Sequence, residues 1–210
     1  MFITCEHISK RIGKNTILDD INLTLTGGKV IGLRGKNGSG KTMLMRVICG
    51  LIKPSAGTVN VNGCVLGKDA SFPPSVGVLI ENPSFLPGES GYRNLKLLAG
   101  IKGIAADEKI RETLVCLGLD PDDKRPYRKY SLGMKQKVGI ACAVMEEPEL
   151  IILDEPLNAL DEKGMQAVRE LLNRLKTKDR IILIACHDKE EMDYLADEIY
   201  YMEDGKITGK

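Results

Sequence analysis

Aromatic residues are scarce in this chain, at 4% of 210 positions, and histidine occurs only twice. No apolar run approaches the roughly 18 residues a bilayer-spanning helix requires, so the chain is not expected to cross a membrane by itself. The opening residues, MFITCEHISK, carry Glu6 and His7 where a secretory leader would need its apolar centre, and no export signal is read there. Neither sign of charge dominates: 30 Lys and Arg against 29 Asp and Glu leave a formal charge of +1. Sequence-independent nucleic-acid binding needs excess positive charge to displace counterions, so no nucleic-acid partner is expected. The six cysteines show no C-x-x-C spacing, and the histidines lie far apart, so the sequence offers no Cys/His zinc cluster. Segments such as RVICGL, GIACAV and LIACHD set the cysteines among apolar residues, the surroundings of buried free thiols. What is present, 43% hydrophobic and 28% charged residues, suffices for a packed core and excludes disordered, collagen-like and low-complexity classes. The expectation is one large cytoplasmic globular domain, or one with an inserted subdomain.

Residues 17–25 (ILDDINLTL) alternate as a half-buried strand does, and Gly27-Gly28 turns into a short buried strand over 29–33. The spacing predicts a helix over 41–50, stopped by Gly50 and Pro54, then a strand over 57–63 ending in an Asn62-Gly63 hairpin turn. A further strand is read over 75–80. Between Pro83 and Glu147 the strand signal fades, and helical spacing covers 92–101, 107–117 and 131–145, broken at Gly118, Pro121 and Pro126. After Pro148 the alternation resumes: strand 150–153, helix 161–176, strand 181–185, helix 189–196, strand 199–202. Apolar strands separated by helices imply a parallel sheet covered on both faces. The expected division is a catalytic core of 1–82 and 148–210 holding an inserted helical subdomain, 83–147. No internal repeat appears.

Gly35-Lys36-Asn37-Gly38-Ser39-Gly40-Lys41-Thr42 fits G-x-x-x-x-G-K-[ST] throughout, after an apolar strand and at the mouth of a helix. The glycines let backbone N–H groups wrap phosphate oxygens, and the helix adds its positive dipole end. Lys41 is expected to reach the β- and γ-phosphates of a nucleoside triphosphate, and the Thr42 hydroxyl to ligate Mg²⁺. Leu150 to Pro156 (LIILDEP) supplies a buried strand with Asp154 at its carboxyl edge to hold the metal, directly or through water. Glu155 follows at once, placed as base for an attacking water. Ser131 opens a helix, where it can cap the chain or, with the backbone near Gly133, donate to a phosphate; one residue can do both.

Taken in this order, the segments resemble the nucleotide-binding domain of ATP-binding-cassette (ABC) transporters over nearly the whole chain. Tyr130-Ser131-Leu132-Gly133-Met134-Lys135-Gln136-Lys137 is similar to the family signature, commonly LSGGQ, with Leu132 and Met134 departing from it. The S-L-G-M-K-Q form resembles the subgroup exporting bacitracin-like and lantibiotic peptides. Leu157 to Asp161 (LNALD) resembles the D-loop that crosses the dimer interface, and is also a helix entry capped by Asp161. His187 resembles the switch histidine that hydrogen-bonds the γ-phosphate; His7 has no such context.

The resemblance implies an α/β P-loop NTPase fold with an N-terminal antiparallel β part. It implies two ATP molecules sandwiched in a homodimer or heterodimer, each between one P-loop and the partner's Ser131–Gly133 segment. In this scheme Glu155 polarises water, and His187 and Lys41 stabilise the developing charge. It also implies a separate integral membrane subunit, docked on the helical subdomain and the Glu81 loop at the inner face of the membrane. Two positions depart from the family. Glu81 stands where the family commonly has a metal-touching glutamine, a trait the peptide-exporting subgroup shares. Ile12 stands where an aromatic ring often stacks on adenine, and losing that stack predicts weak base discrimination with GTP tolerated. The basic group Arg125, Arg128, Lys129, Lys135 and Lys137 is a solvated face or helps neutralise triphosphate across the dimer. The rival reading is a soluble cassette ATPase acting on ribosomes or DNA. A P-loop GTPase or kinase is disfavoured, since no N-K-x-D guanine-reading motif occurs.

Overall fold

The computed structural model describes residues 1–81 and 83–210; Asn82, the last residue of the first expected core segment, lies outside the described residues. Two sheets carry the architecture. Strands β1 (Phe2–Ile12), β2 (Asn15–Thr26), β4 (Ala56–Val61) and β5 (Cys64–Val65) form an antiparallel sheet ordered β2-β1-β4-β5. The second sheet, of β3 (Val30–Arg34), β6 (Val76–Leu79), β7 (Leu150–Asp154), β8 (Ile181–Cys186), β9 (Glu198–Glu203) and β10 (Lys206–Gly209), is ordered β10-β9-β3-β8-β7-β6. All its pairings are parallel except the β9–β10 hairpin.

The continuous apolar runs of β7 and β8 are explained by burial on both faces. Ile151 and Leu153 with Ile182 and Ile184 face one core, while Leu150 and Ile152 with Ile181 and Leu183 face the other. Helix α1 (Lys41–Ile48) packs Leu44, Met45, Val47 and Ile48 into the second core, which it shares with β1, β2 and β4. The first core is closed by α2 (Gly91–Lys102), α3 (Asp107–Cys116), α4 (Leu132–Val144), α5 (Glu162–Leu175) and α6 (Lys189–Leu195). Helices α2, α3 and α4, with a 3-10 turn over Tyr127–Lys129, occupy the stretch between β6 and β7. Fully burying each large aliphatic side chain contributes roughly 1.5–3 kcal/mol, which makes the two faces of this sheet the main source of stability.

The strand β1 has no counterpart among the predicted elements. Its buried residues, Ile3, Cys5 and Ile8, slip out of period two because the register with β2 shifts between Cys5 and Ile8, where His7 takes a φ of 53°. The short β10 hairpin was likewise hidden, being four residues with little apolar content. His7 is exposed and pairs with Asp20 (Nδ1 to Oδ1, 2.8 Å). All six cysteines are free; Cys5, Cys49 and Cys186 are buried, and the other three are only partly covered.

Candidate nucleotide site

Parallel pairing brings the carboxyl ends of β3, β8, β7 and β6 to one edge in that lateral order, with Asp154 beside Ala185 and Arg34 beside Cys186. The P-loop leaves β3, Asp154 and Glu155 end β7, His187 follows β8, and Glu81 lies just beyond β6. Residues distant in sequence therefore meet because their strands share a direction. The edge opens on a cleft of about 530 Å³, within the usual size of a small-ligand site. Asn37, Gly38, Gly40, Lys41 and Thr42 line it, with Glu81, Asp154 and Glu155. Gly35, Lys36 and Ser39 complete the loop and line an adjoining cleft together with His187.

Gly38 and Gly40 have φ of 83° and 103°, a region side-chain-bearing residues avoid. Gly40 precedes α1 without a side-chain cap, so the first N–H groups of that helix remain free for an anion. Lys41 is buried, and its ammonium donates to the carbonyls of Gly35 (2.6 Å) and Lys36 (3.2 Å), which holds it inside the loop. Thr42 Oγ1 donates to Asp154 Oδ2 at 2.6 Å. Burial holds the Asp154 carboxyl above its ordinary value, and the Thr42 hydrogen bond opposes that. This hydroxyl–carboxylate pair is a hard oxygen donor set beside the phosphate loop, and it fits a small divalent cation such as Mg²⁺.

Glu155 takes a φ of 49°, and Glu81 a φ of 62°, strained values for residues other than glycine. The Glu155 backbone is fixed on both sides: its N–H donates to Ala185 O (2.9 Å), and its carbonyl accepts from Gln136 Nε2 (3.0 Å). Its Oε1 lies 2.9 Å from His187 Nδ1, whereas Oε2 is buried with no partner among the described residues. That orphaned oxygen is what a base awaiting a water would present. The hydrogen bond to Glu155, and then its charge, raise the pKa of His187. Glu81 forms an ion pair with Arg46, one turn along α1 from Thr42.

Ser131 and Gly133 do not line this cleft. Ser131 caps α4, its hydroxyl oxygen accepting from Met134 N–H at 3.2 Å. Gly133 packs so closely on the chain after Glu155 that an added Cβ would sit 2.6 Å from Ala159 O. Asp161 caps α5 by accepting from Gly164 N–H (2.9 Å) and also lies outside the cleft lining. Ile12, at the end of β1, is 53% exposed and outside it too; the apolar residue reaching the cleft from β2 is Ile17. Of the basic group, Arg125 is paired with Asp123 (2.7 Å), and Lys135 lies 5.5 Å from the Tyr127 ring centroid.

Ile17, Met43, Arg46, Gln136 and Asn158 also line the cleft, and none of them is a candidate from the sequence. Gln136 and Asn158 fall inside segments already singled out, and Arg46 lies four residues after Thr42 on a helix, where i and i+4 share a face. Ile17 carried no signal, since a strand residue gives no sign of what lies across from it.

A family model described as ABC transporter matches residues 18–158. An uncharacterized ABC transporter ATP-binding protein of Bacillus subtilis (strain 168), YybJ, is 43% identical over 96% of this chain and 92% of its own length. The bacitracin transport ATP-binding protein BcrA of Enterococcus faecalis is 38% identical over 98% of this chain and 68% of its own. Among solved structures, the ATP-binding subunit of an ABC transporter superposes with a TM-score of 0.88 at 27% identity, covering 100% of this chain and 89% of that one. The chain belongs to the ABC transporter family. It is an ATP-binding subunit of that family, an ATPase of the P-loop type, and no helix among its described residues is long and apolar enough to cross a membrane.

Proposed function

We propose that this chain hydrolyses ATP with Mg²⁺ to drive export of a peptide antibiotic or drug through a separate integral membrane subunit, working as a pair of cassettes at the inner face of the membrane. The observation that carries the hydrolytic part is the Glu155–His187 pair at the edge of the P-loop cleft, with Glu155 Oε2 buried and unpartnered. The transport part rests on the family, on a relative named for bacitracin transport and on the S-L-G-M-K-Q segment; the named relatives favour transport over action on ribosomes or DNA.

In this reading the backbone of Gly35 to Thr42 binds the phosphates, and Lys41 turns from its loop carbonyls toward the β- and γ-oxygens. Thr42 and Asp154 would hold Mg²⁺, with Glu81 beside them; the ion would neutralise phosphate charge. Glu155 accepts the proton of the attacking water, and His187 keeps Glu155 oriented and adds a donor toward the γ-phosphate. The Ser131–Gly133 segment and Asp161 serve the nucleotide of the partner cassette, because they lie outside their own cleft. Ser131 can cap and bind at once: its oxygen accepts from Met134 N–H, and its hydroxyl proton remains to be donated. The division into a core of 1–82 and 148–210 and a helical subdomain of 83–147 belongs to the same proposal, with the helical part and the Glu81 loop facing the membrane subunit.

Glu155→Gln tests this directly. The variant is expected to bind ATP, to lose hydrolysis by about 100-fold or more, and to accumulate as a dimer on size-exclusion chromatography with ATP. Wild-type turnover in this variant would remove Glu155 from the role of base.

A further inference from the structure

The carboxyl end of β8 gathers a second set of donors that differs in kind from Thr42 and Asp154. Glu155, Cys186 and His187 each present a ligand atom, and these atoms lie within 4.8 Å of one another. The set mixes a carboxylate oxygen, a sulfur and an imidazole nitrogen. Mg²⁺ favours oxygen donors in an octahedron, whereas zinc takes sulfur, nitrogen and oxygen in a tetrahedron. The sequence, with no C-x-x-C spacing and its histidines far apart, predicts no zinc cluster; the fold brings the residue after β7, 31 positions upstream of Cys186, against the Cys186-His187 pair.

We infer that Glu155, Cys186 and His187 form a zinc-type transition-metal site whose occupation silences ATP hydrolysis. This inhibition rests on the proposed role of Glu155 and His187, whereas the metal binding itself does not. Two independent features support the site. Glu155 Oε2 is buried without a partner, an unused acceptor among the donors. Cys186 Sγ donates to Glu191 Oε2 at 3.1 Å, so the thiol has a carboxylate ready to take its proton.

Zinc–ligand bonds of about 2.0–2.3 Å place tetrahedral ligands roughly 3.3–3.7 Å apart. The widest donor separation, up to 4.8 Å, thus closes by at most about 1.5 Å, and the 2.9 Å contact between Glu155 Oε1 and His187 Nδ1 opens slightly. Coordination takes the thiol proton, which passes to Glu191 and on to solvent, leaving a thiolate on the metal; the His187 proton held against Glu155 Oε1 is released or moves to the other ring nitrogen, because the metal takes a ring nitrogen through its lone pair. The fourth position of the metal stays open to water or to a phosphate oxygen. With Glu155 and His187 held by the metal, ATP still binds the P-loop but is not cleaved.

The experiment uses the whole chain freed of metal, with Co²⁺ as spectroscopic probe and Zn²⁺ as inhibitor. Co²⁺ should add thiolate-to-metal charge-transfer absorption in the near ultraviolet at one ion per chain, displaced by Zn²⁺. Cys186→Ser keeps the hydrogen bond to Glu191 and replaces the soft ligand, so it should abolish that absorption, keep its Mg²⁺-dependent ATPase activity, and need about tenfold or more Zn²⁺ for the same inhibition. Absence of the absorption in the wild type, or its persistence in Cys186→Ser through the partly covered Cys64, Cys116 or Cys142, overturns the site. Absorption that depends on Cys186 without any zinc inhibition overturns the silencing. A metal-free wild type that binds Co²⁺ through Cys186 but never hydrolyses ATP would instead overturn the ATPase reading and leave the metal site standing.

Discussion

At the scale of single residues, the contact on which the proposed chemistry turns is that of His187 with Glu155. His187 is half exposed, so its hydrogen bond shifts the proton equilibrium without contributing much stability. The sign is that of a raised histidine pKa. The interaction is fully present below the ordinary histidine value and is lost as pH rises through the higher folded-state value. An NMR titration of the His187 ring should therefore give a midpoint above that of a free histidine, and Glu155→Gln should bring it back toward the ordinary value. A midpoint unchanged by that substitution would show that Glu155 does not hold the ring. Ile17 lines the cleft, no aromatic ring among the described residues does, and Ile12 lies outside. ATP and GTP are expected to compete within about tenfold of each other, since a missing aromatic stack removes roughly 1–3 kcal/mol of base binding. Competition for a fluorescent nucleotide measures this, and a strong preference for ATP would count against it.

At the scale of elements, the helix N-termini are of two kinds, capped and uncapped. Ser131 and Asp161 each accept a backbone N–H at the start of a helix, and replacing either by alanine should cost about 1 kcal/mol in denaturant unfolding. Ser131→Asp separates the cap from the proposed phosphate contact. It retains a capping oxygen, so stability should stay within about 0.5 kcal/mol of wild type, while its charge repels the triphosphate of the partner cassette. Turnover falling by about tenfold or more with unchanged unfolding would assign Ser131 to the nucleotide. Equal activity would reduce it to a cap. Helix α1 shows the complementary case: Gly40 leaves its first turn uncapped, and that turn opens on the cleft.

At the scale of the molecule, β8 lies between β3 and β7 and so sets the distance between the P-loop and Asp154. Leu183 is fully buried in the core shared with α1. Leu183→Ala should destabilise the fold by about 2–5 kcal/mol and weaken nucleotide binding as well, because the strand ends lose their mutual register. Thermal melts with and without ATP report both effects. In the wild type, ATP at a hundredfold excess over its Kd should add about 2.7 kcal/mol, and Lys41→Ala should abolish that gain.

Much of this protein was legible in the chain itself. The β/α alternation, the helices between β6 and β7, the P-loop and the LIILDEP strand follow from local periodicity and from motifs whose spacing is dictated by phosphate and metal chemistry. Those features need only neighbours in sequence. The bulged strand β1 was not legible, because a one-residue slip at His7 breaks the alternation that marks a strand. Nor were Ile17 and Arg46 as cleft residues, or the meeting of Glu155 with Cys186 and His187. These depend on which strands run side by side and in which direction, and parallel pairing is a property of the whole sheet, fixed only when the two hydrophobic cores close around it.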